Sequence, residues 1–563
     1  MDLGLSQTLL QELKHRGPDS TSQLYEDETQ LFFGFNRLSI QDRSLKASQP
    51  FWSKSRNTLM MFNGELFNGH QLLESHLSFI ARETTSDTEI LVEMIEHHGL
   101  DYTLNQVEGM FACVVYDVAS KEITFVRDYF GVKRLYWTHT KNQFCAASEP
   151  RPLLKVLASV EPNQEAVFDW LEFGLINHNS STFFRGINEL PAGHALTLFP
   201  DGRLDLRDWR LPIETTPFVG TKMDFLEVLD QSLVAIAERA LVGNVDMGML
   251  LSGGIDSSLL YFLSQEAGKE LRTFTVIWKD QTYSEQRFVE QMTAPTKFTA
   301  IDGDPSLNLK NLEESIAFYA QPFGSPFVLS MESLFQRAAA DGVKVLLDGN
   351  GLDELFFGYP KYLRKSNAWD PRVHQDGTKT VLQDIIGSAL KYLFHERTIQ
   401  DAIGRGLNSH DPRSIDLFVS KVPRALRYSD QASMRFGCEL RVPFLNVGLL
   451  ALANSVPRIW LMNDEAGKLP IRTLLQRRTQ ASDAANAKKR SLQTPIRELF
   501  QGPWQKEVIA RIKSSRLHDL GWIDLDEFLL ANNHYVSNFD RGEANSNFLW
   551  QYLALSMWVD AYL

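Results

Sequence analysis

The sequence predicts two units in one chain of 563 residues. The first, over 1–210, is an α+β sandwich; the second, over 211–563, is an α/β doubly wound parallel sheet followed by a largely helical part. Up to about residue 205 the chain mixes short β-like apolar runs with turns and few helices. From about 220, apolar strand runs alternate with amphipathic helical stretches, as βαβ units do. Between one such strand and helix lies the glycine-rich turn Ser252-Gly253-Gly254.

In the first unit, Leu31–Phe35, Thr58–Phe62, Phe111–Tyr116, Ile123–Val126 and Phe144–Ala147 read as strands. Asn63-Gly64 and Phe130-Gly131 read as turns. Ser86 and Glu89 form a Ser-x-x-Glu capping box opening a helix whose apolar face is Ile90, Leu91, Met94 and Ile95, and Gly99 ends it. The boundary falls near 205–222, around Pro200-Asp201-Gly202, Pro212 and Pro217. In the second unit the order is strand Met247–Leu251, helix from Ser257, strand Thr273–Trp278, helix near Ser330–Ala340 and strand Val343–Leu347, and the chain is mainly helical after 375. Phe548–Leu563 is too short, and too rich in Trp and Tyr, for a membrane span; a buried terminal helix is expected.

Hydrophobic content of 44% and charged content of 23% are those of an ordinary globular protein. With 57 basic and 70 acidic residues the net charge is −13, which argues against nucleic acid or an anionic membrane as a partner. Cys113, Cys145 and Cys438 form neither a disulfide framework nor a metal spacing and read as core residues, which fits a cytoplasmic location.

The chemistry centres on Leu251-Ser252-Gly253-Gly254-Ile255-Asp256-Ser257-Ser258. Glycines let backbone N–H groups turn inward, and the first turn of a helix carries orphan donors and partial positive charge. Together they make an anion cradle. The spacing is not that of a Walker A loop and no lysine is present; Asp256 instead stands where a Mg²⁺-pyrophosphate would be held. The strand ending at Leu347 runs into Asp348-Gly349-Asn350-Gly351-Leu352-Asp353-Glu354. Ligands in such sheets sit at the carboxyl ends of strands, so this turn is expected beside the cradle, with Asp256 and Asp353 sharing Mg²⁺.

These motifs, with Gln321–Pro326, Gly358-Tyr359-Pro360, Leu426–Asp430, Glu439–Leu445, Gly467-Lys468, Ile471-Arg472, Lys488-Lys489 and Thr494-Pro495-Ile496, resemble the synthetase domain of asparagine synthetases, an ATP-pyrophosphatase fold. The resemblance implies that ATP adenylates a carboxylate, with release of pyrophosphate, and that a nitrogen nucleophile then displaces AMP. It implies a pyrophosphate site at Ser252, Gly253, Gly254, Asp256, Ser257 and Ser258, and an adenine site at Leu251 and Val276. It further implies Asp348 and Gly349 near the nucleotide, Mg²⁺ on Asp256 and Asp353, and Lys489 as the charge-balancing cation, with Lys468 and Lys488 as rivals. Asn350 stands where many relatives carry an acid and β-lactam-forming relatives a Tyr; an amide does not accept the proton of an attacking amine as a carboxylate does. Asn446, where Asp is usual, is a milder change.

In the first half, His15–Asp19, Arg37–Ile40, Asn63–Asn68, Ser86–Glu89, Gly109–Ala112 and Arg127–Lys133 resemble the class II glutamine amidotransferase domain, of Ntn-hydrolase type. This implies a glutamine pocket of Arg37, Asn63, Gly64, Glu65 and Asp87. The nucleophile in such domains is the cysteine after the initiator Met, whereas here Met1 is followed by Asp2, so glutamine hydrolysis by the usual route is not expected. The leading reading is an ATP-dependent amide-forming synthetase, acting on aspartate or a related acid, that takes ammonia or an amine through a silent first half. A second is a glutamine-dependent asparagine synthetase with a truncated N-terminus. A third is a catalytically silent binding or regulatory protein. A homodimer is the family expectation.

Overall fold

The computed structural model describes residues 3–141, 143–213, 216–292, 298–363, 383–403, 411–479, 494–538 and 546–563. In the first half, β1 (Ser20–Glu26) and β2 (Leu31–Arg37) form an antiparallel hairpin. The strands β3 (Phe51–Trp52), β4 (Thr58–Leu66), β5 (Gly109–Asp117) and β6 (Ile123–Arg127) continue through β7 (Tyr136–His139), β8 (Phe144–Ala147), β9 (Asn188–Glu189), β10 (His194–Leu198) and β11 (Leu204–Asp208). A six-stranded antiparallel sheet runs β11-β10-β6-β5-β4-β3, and a three-stranded one β8-β7-β9. Alternate residues face opposite sides of a strand. Met60, Phe62, Phe111 and Cys113 therefore pack under the helix Asp87–His98, with its Leu91, Val92 and Ile95. Leu59, Ala112, Tyr116 and Phe125 pack on the other face against Phe33 of β2 and the Trp137 and Phe144 side chains. The result is the expected α+β sandwich.

Two local expectations are corrected. Asn63-Gly64 is not a turn but lies inside β4, paired with Ala112 and Phe111. A Cβ on Gly64 would come within 2.0 Å of the Met110 carbonyl oxygen, so this glycine serves a close approach of backbones rather than a reversal. The capping box is half made: the Ser86 side chain accepts from Thr88 N, but the Glu89 carboxylate accepts from Glu83 N and from Thr84 N and Oγ1. The turn after Phe130 is as read, with Gly131 at φ 69° and its N–H donating to Asp128 O.

In the second half, β12 (Met247–Leu250), β13 (Arg272–Ile277), β14 (Phe298–Asp302), β15 (Val345–Leu347) and β16 (Glu439–Arg441) form one parallel sheet in the order β14-β13-β12-β15-β16. Both faces are covered, which is why these strands read as continuous apolar runs. Met249, Val345 and Leu347 meet the helices Lys222–Ala240 and Ile255–Glu266 on one side. Phe274, Leu346 and Leu440 meet the helix Phe327–Ala340 on the other. The helix read from Ser257 begins at Ile255. Strand order reverses between β12 and β15, the position where such sheets open a crevice. The terminal helix Asn547–Tyr562 is buried from Phe548 to Val559, its Trp550 and Trp558 indoles donating to Phe323 O and Ala320 O. Among the described residues no helix is long and apolar enough to cross a membrane.

The halves are joined by buried ion pairs. Arg16 meets Asp430 at 2.9 Å, and Lys133 meets the same carboxylate at 3.4 Å. Arg441 reaches Glu65 at 2.7 Å.

Candidate active site

A cavity of about 320 Å³ opens at the carboxyl ends of β12, β13 and β15. Of the residues assigned from sequence to nucleotide and metal, Leu251, Ser252, Gly253, Gly254, Asp256, Ser257, Val276, Asp348, Gly349 and Asp353 line it, as does Asn350. Ser258 stands behind the wall, fully buried, its Oγ donating to Gly254 O at 2.6 Å to brace the first helical turn. Lys489, like Lys488, lies outside the described residues.

The loop after β12 is shaped by its own serines. Ser252 N donates to Ser257 Oγ at 3.2 Å, and Gly254 N donates to Ser252 Oγ at 3.3 Å. Gly253 takes φ 72°, and a Cβ there would sit 2.6 Å from Phe288 Cβ. Gly254 N-caps the helix Ile255–Glu266 without a side-chain cap, so no side chain of the cap covers the first turn. Gly349 presses against that turn: a Cβ would lie 2.8 Å from Asp256 C and Ser257 N. Much of the remaining lining is apolar, with Phe274, Val276, Trp278, Phe288, Val328 and Met331.

At the polar end, Lys468 Nζ lies 2.6 Å from Asp256 Oδ1 and 2.5 Å from Asp353 Oδ1. The lysine is 3% exposed and N-caps the helix Leu469–Arg478 at φ 58°. Arg472, one turn on, feels both carboxylates, and burial pulls its pKa down against their attraction. Buried Glu354 is pushed up to about 7, first by desolvation and then by the charge of Asp353. Asn350 is exposed; its backbone N–H and side-chain amide both donate to the Asp348 carboxylate, the latter at 2.6 Å. Asn446 does what an Asp would do there, its side chain accepting from Leu449 N to cap the helix Val447–Asn454.

A second pocket, of about 130 Å³, gathers Arg37, Asn63, Gly64, Glu65 and Asp87. Arg37 donates to Ser44 O at 2.8 Å and to Asp42 O. Glu65 accepts from Gln41 and from Arg441 of β16. Desolvation raises the pKa of Glu65 well above the ordinary carboxylate value, against Arg441, and raises that of Asp87 to about 6, against the Leu66 N–H. Glu439 and Met434 complete the wall from the second half. No cysteine is among the lining residues: Cys113 and Cys438 are buried elsewhere and Cys145 is half-buried on β8, all three with thiol pKa values raised by burial.

Arg441 and Lys468 lie within sequence motifs, where no local pattern gives Arg441 a role and Lys468 is only a rival of Lys489. Glu65, Asp256 and Asp353, which they meet, lie more than a hundred positions away, beyond any local pattern; Glu439, beside Arg441 on β16, is the near one. The available signal was the arginine of Glu439-Leu440-Arg441, a charged side chain that requires partners when buried, one of which stands two residues before it.

Residues 4–209 match the family model of a glutamine amidotransferase domain, and residues 228–560 that of asparagine synthase. The chain is 24% identical over 601 residues to asparagine synthetase [glutamine-hydrolyzing] 1 of Bacillus subtilis (strain 168), with 97% of this chain and 92% of that protein covered. It is 26% identical over 486 residues to asparagine synthetase [glutamine-hydrolyzing] 2 of the same organism, covering 79% and 63%. It is also 23% identical over 610 residues to amidase chry2 of Gibberella zeae, covering 92% and 89%.

Proposed function

The chain belongs to the asparagine synthase family, whose members are ATP-using carbon–nitrogen ligases, and from that premise we propose that it adenylates a small carboxylic acid and transfers ammonia or an amine to it. The observation that carries this reading is the convergence of the Ser252–Ser257 loop, Asp348-Gly349 and the Asp256/Asp353 pair on one cavity whose remaining lining is largely apolar. The apolar wall at Val276 takes the adenine. The uncapped first turn and the loop N–H groups take the pyrophosphate.

The donor set fits Mg²⁺, which is held by one or two carboxylates plus substrate phosphates: Asp256 and Asp353 approach a common point closely enough to share one lysine amine. When bound, the ion screens the charge that develops on leaving pyrophosphate. Lys468 and Arg472 supply positive charge at the same end, and Lys489 is assigned to the adenylate. Aspartate is the default acid, and a related or sugar acid is the alternative.

Ammonia or an amine is the proposed nitrogen source, with glutamine the alternative; in the first-half pocket Arg37 and Glu65 are already engaged by protein groups. The test is incubation with ATP, Mg²⁺, ammonium and a panel of acids including aspartate, measuring pyrophosphate and AMP. Formation of both in equal amounts with one acid is the expected result. No turnover and no ATP binding would overturn the ligase assignment; glutamine serving as well as ammonium would overturn the nitrogen assignment.

A further inference from the structure

We infer that Lys468 is a resident cation that closes the Asp256/Asp353 metal position until nucleotide arrives, so that divalent metal enters with ATP and not before it. The inference rests on the ATP reading above and concerns the order in which the site fills. The Lys468 amine lies within 2.8 Å of both Asp256 oxygens and 2.5 Å from Asp353, and is nearly inaccessible to water. Its backbone is fixed. Lys468 N donates to Phe356 O at 2.8 Å, its carbonyl accepts from Arg472 N at 2.8 Å, and a Cβ on the preceding Gly467 would lie 1.7 Å from Phe357 O. What remains free to move is the four-carbon stem carrying a compact charge.

A bare divalent ion would have to displace this ammonium from both carboxylates and leave it beside a second cation, Arg472. Nor is there a third ligand to compensate: among the described residues no group of three His, Cys, Asp or Glu is placed to hold a metal. A nucleotide changes both conditions. Its phosphate oxygens supply further metal ligands, and they give the displaced lysine a new anionic partner. Metal and nucleotide therefore bind as linked ligands, each raising the affinity of the other.

Mn²⁺ is the probe, with binding read by electron paramagnetic resonance on the full chain, with and without a non-hydrolysable ATP analogue. Wild type without nucleotide should hold no Mn²⁺ that Asp353→Asn removes, and with the analogue it should hold Mn²⁺ that Asp353→Asn does remove. Lys468→Met should bind Mn²⁺ without nucleotide at least about ten-fold more tightly than wild type, because the ammonium no longer competes for the two carboxylates; Asp353→Asn in that background should abolish the gain. Unchanged Mn²⁺ affinity in a folded Lys468→Met protein would overturn the inference. If that variant does not fold, the wild-type arm decides alone: nucleotide-free Mn²⁺ binding lost on Asp353→Asn refutes it. Failure of the analogue to bind at any metal concentration would instead refute the ATP reading, and the Lys468→Met arm would still report on the lysine.

Discussion

Two carboxylates show how burial and partnership set the roles of single residues. Asp353 is 5% exposed and its ionised form is held by Lys468. Asp353→Ala should therefore reduce pyrophosphate release by at least about a hundred-fold in folded protein, the scale of losing one preorganised electrostatic contact. Retained release would refute its metal role. Asp87 behaves oppositely, its pKa raised from 3.8 to about 6 mainly by desolvation. A raised folded-state value means that its contribution to stability is complete below the unfolded value and is lost as pH climbs through about 6. Asp87→Asn should melt at the same temperature as wild type near pH 4 and above it at pH 8; a gap that does not grow with pH would refute the assignment. The nucleotide-side residues were legible because a strand, two glycines and a helix start lie within a dozen positions. The Lys468 contact was not, since its two carboxylates are 212 and 115 positions upstream.

Elements were legible where one face carries the pattern. The short apolar runs at 58–62 and 111–116 predicted the strands β4 and β5, and the apolar run at 247–251 predicted a buried parallel strand. The Asn63-Gly64 pair misled because the same dipeptide serves a tight turn or a backbone contact, and only the partner strand decides between them. The terminal helix Asn547–Tyr562 was recognised from composition alone, yet its apolar surface goes all the way round, so no periodicity indicated which residues it would meet. Trp558 packs against Phe183 and Phe184 of the first half and donates to Ala320 O. Trp558→Ala removes that packing and leaves a cavity, at a cost of about 3–5 kcal/mol. A denaturation midpoint followed by far-ultraviolet circular dichroism should fall accordingly, and a midpoint within error of wild type would show that the helix does not hold the halves together.

Across the whole molecule, the first half supplies Arg16, Lys133 and Glu65 to ion pairs whose partners, Asp430 and Arg441, lie in the second. None of these pairings was visible in sequence, because each member looks locally like a motif residue awaiting a ligand. Arg441→Leu leaves Glu65 buried without its charge partner and should cost roughly 3–5 kcal/mol. Adding Glu65→Gln should recover part of that loss in a double-mutant cycle of melting curves; strictly additive costs would show the two residues uncoupled. Arg441 also reaches the other site, since its backbone carbonyl accepts from Asp348 N at 2.8 Å while its guanidinium grips Glu65. Arg37 ties down the 42–44 loop, Asp87 holds Leu66 N, and Gly64 admits β5. Each therefore has a duty to the fold independent of any ligand. A genome survey that counts these pocket residues as proof of glutaminase activity would then mistake masonry for machinery.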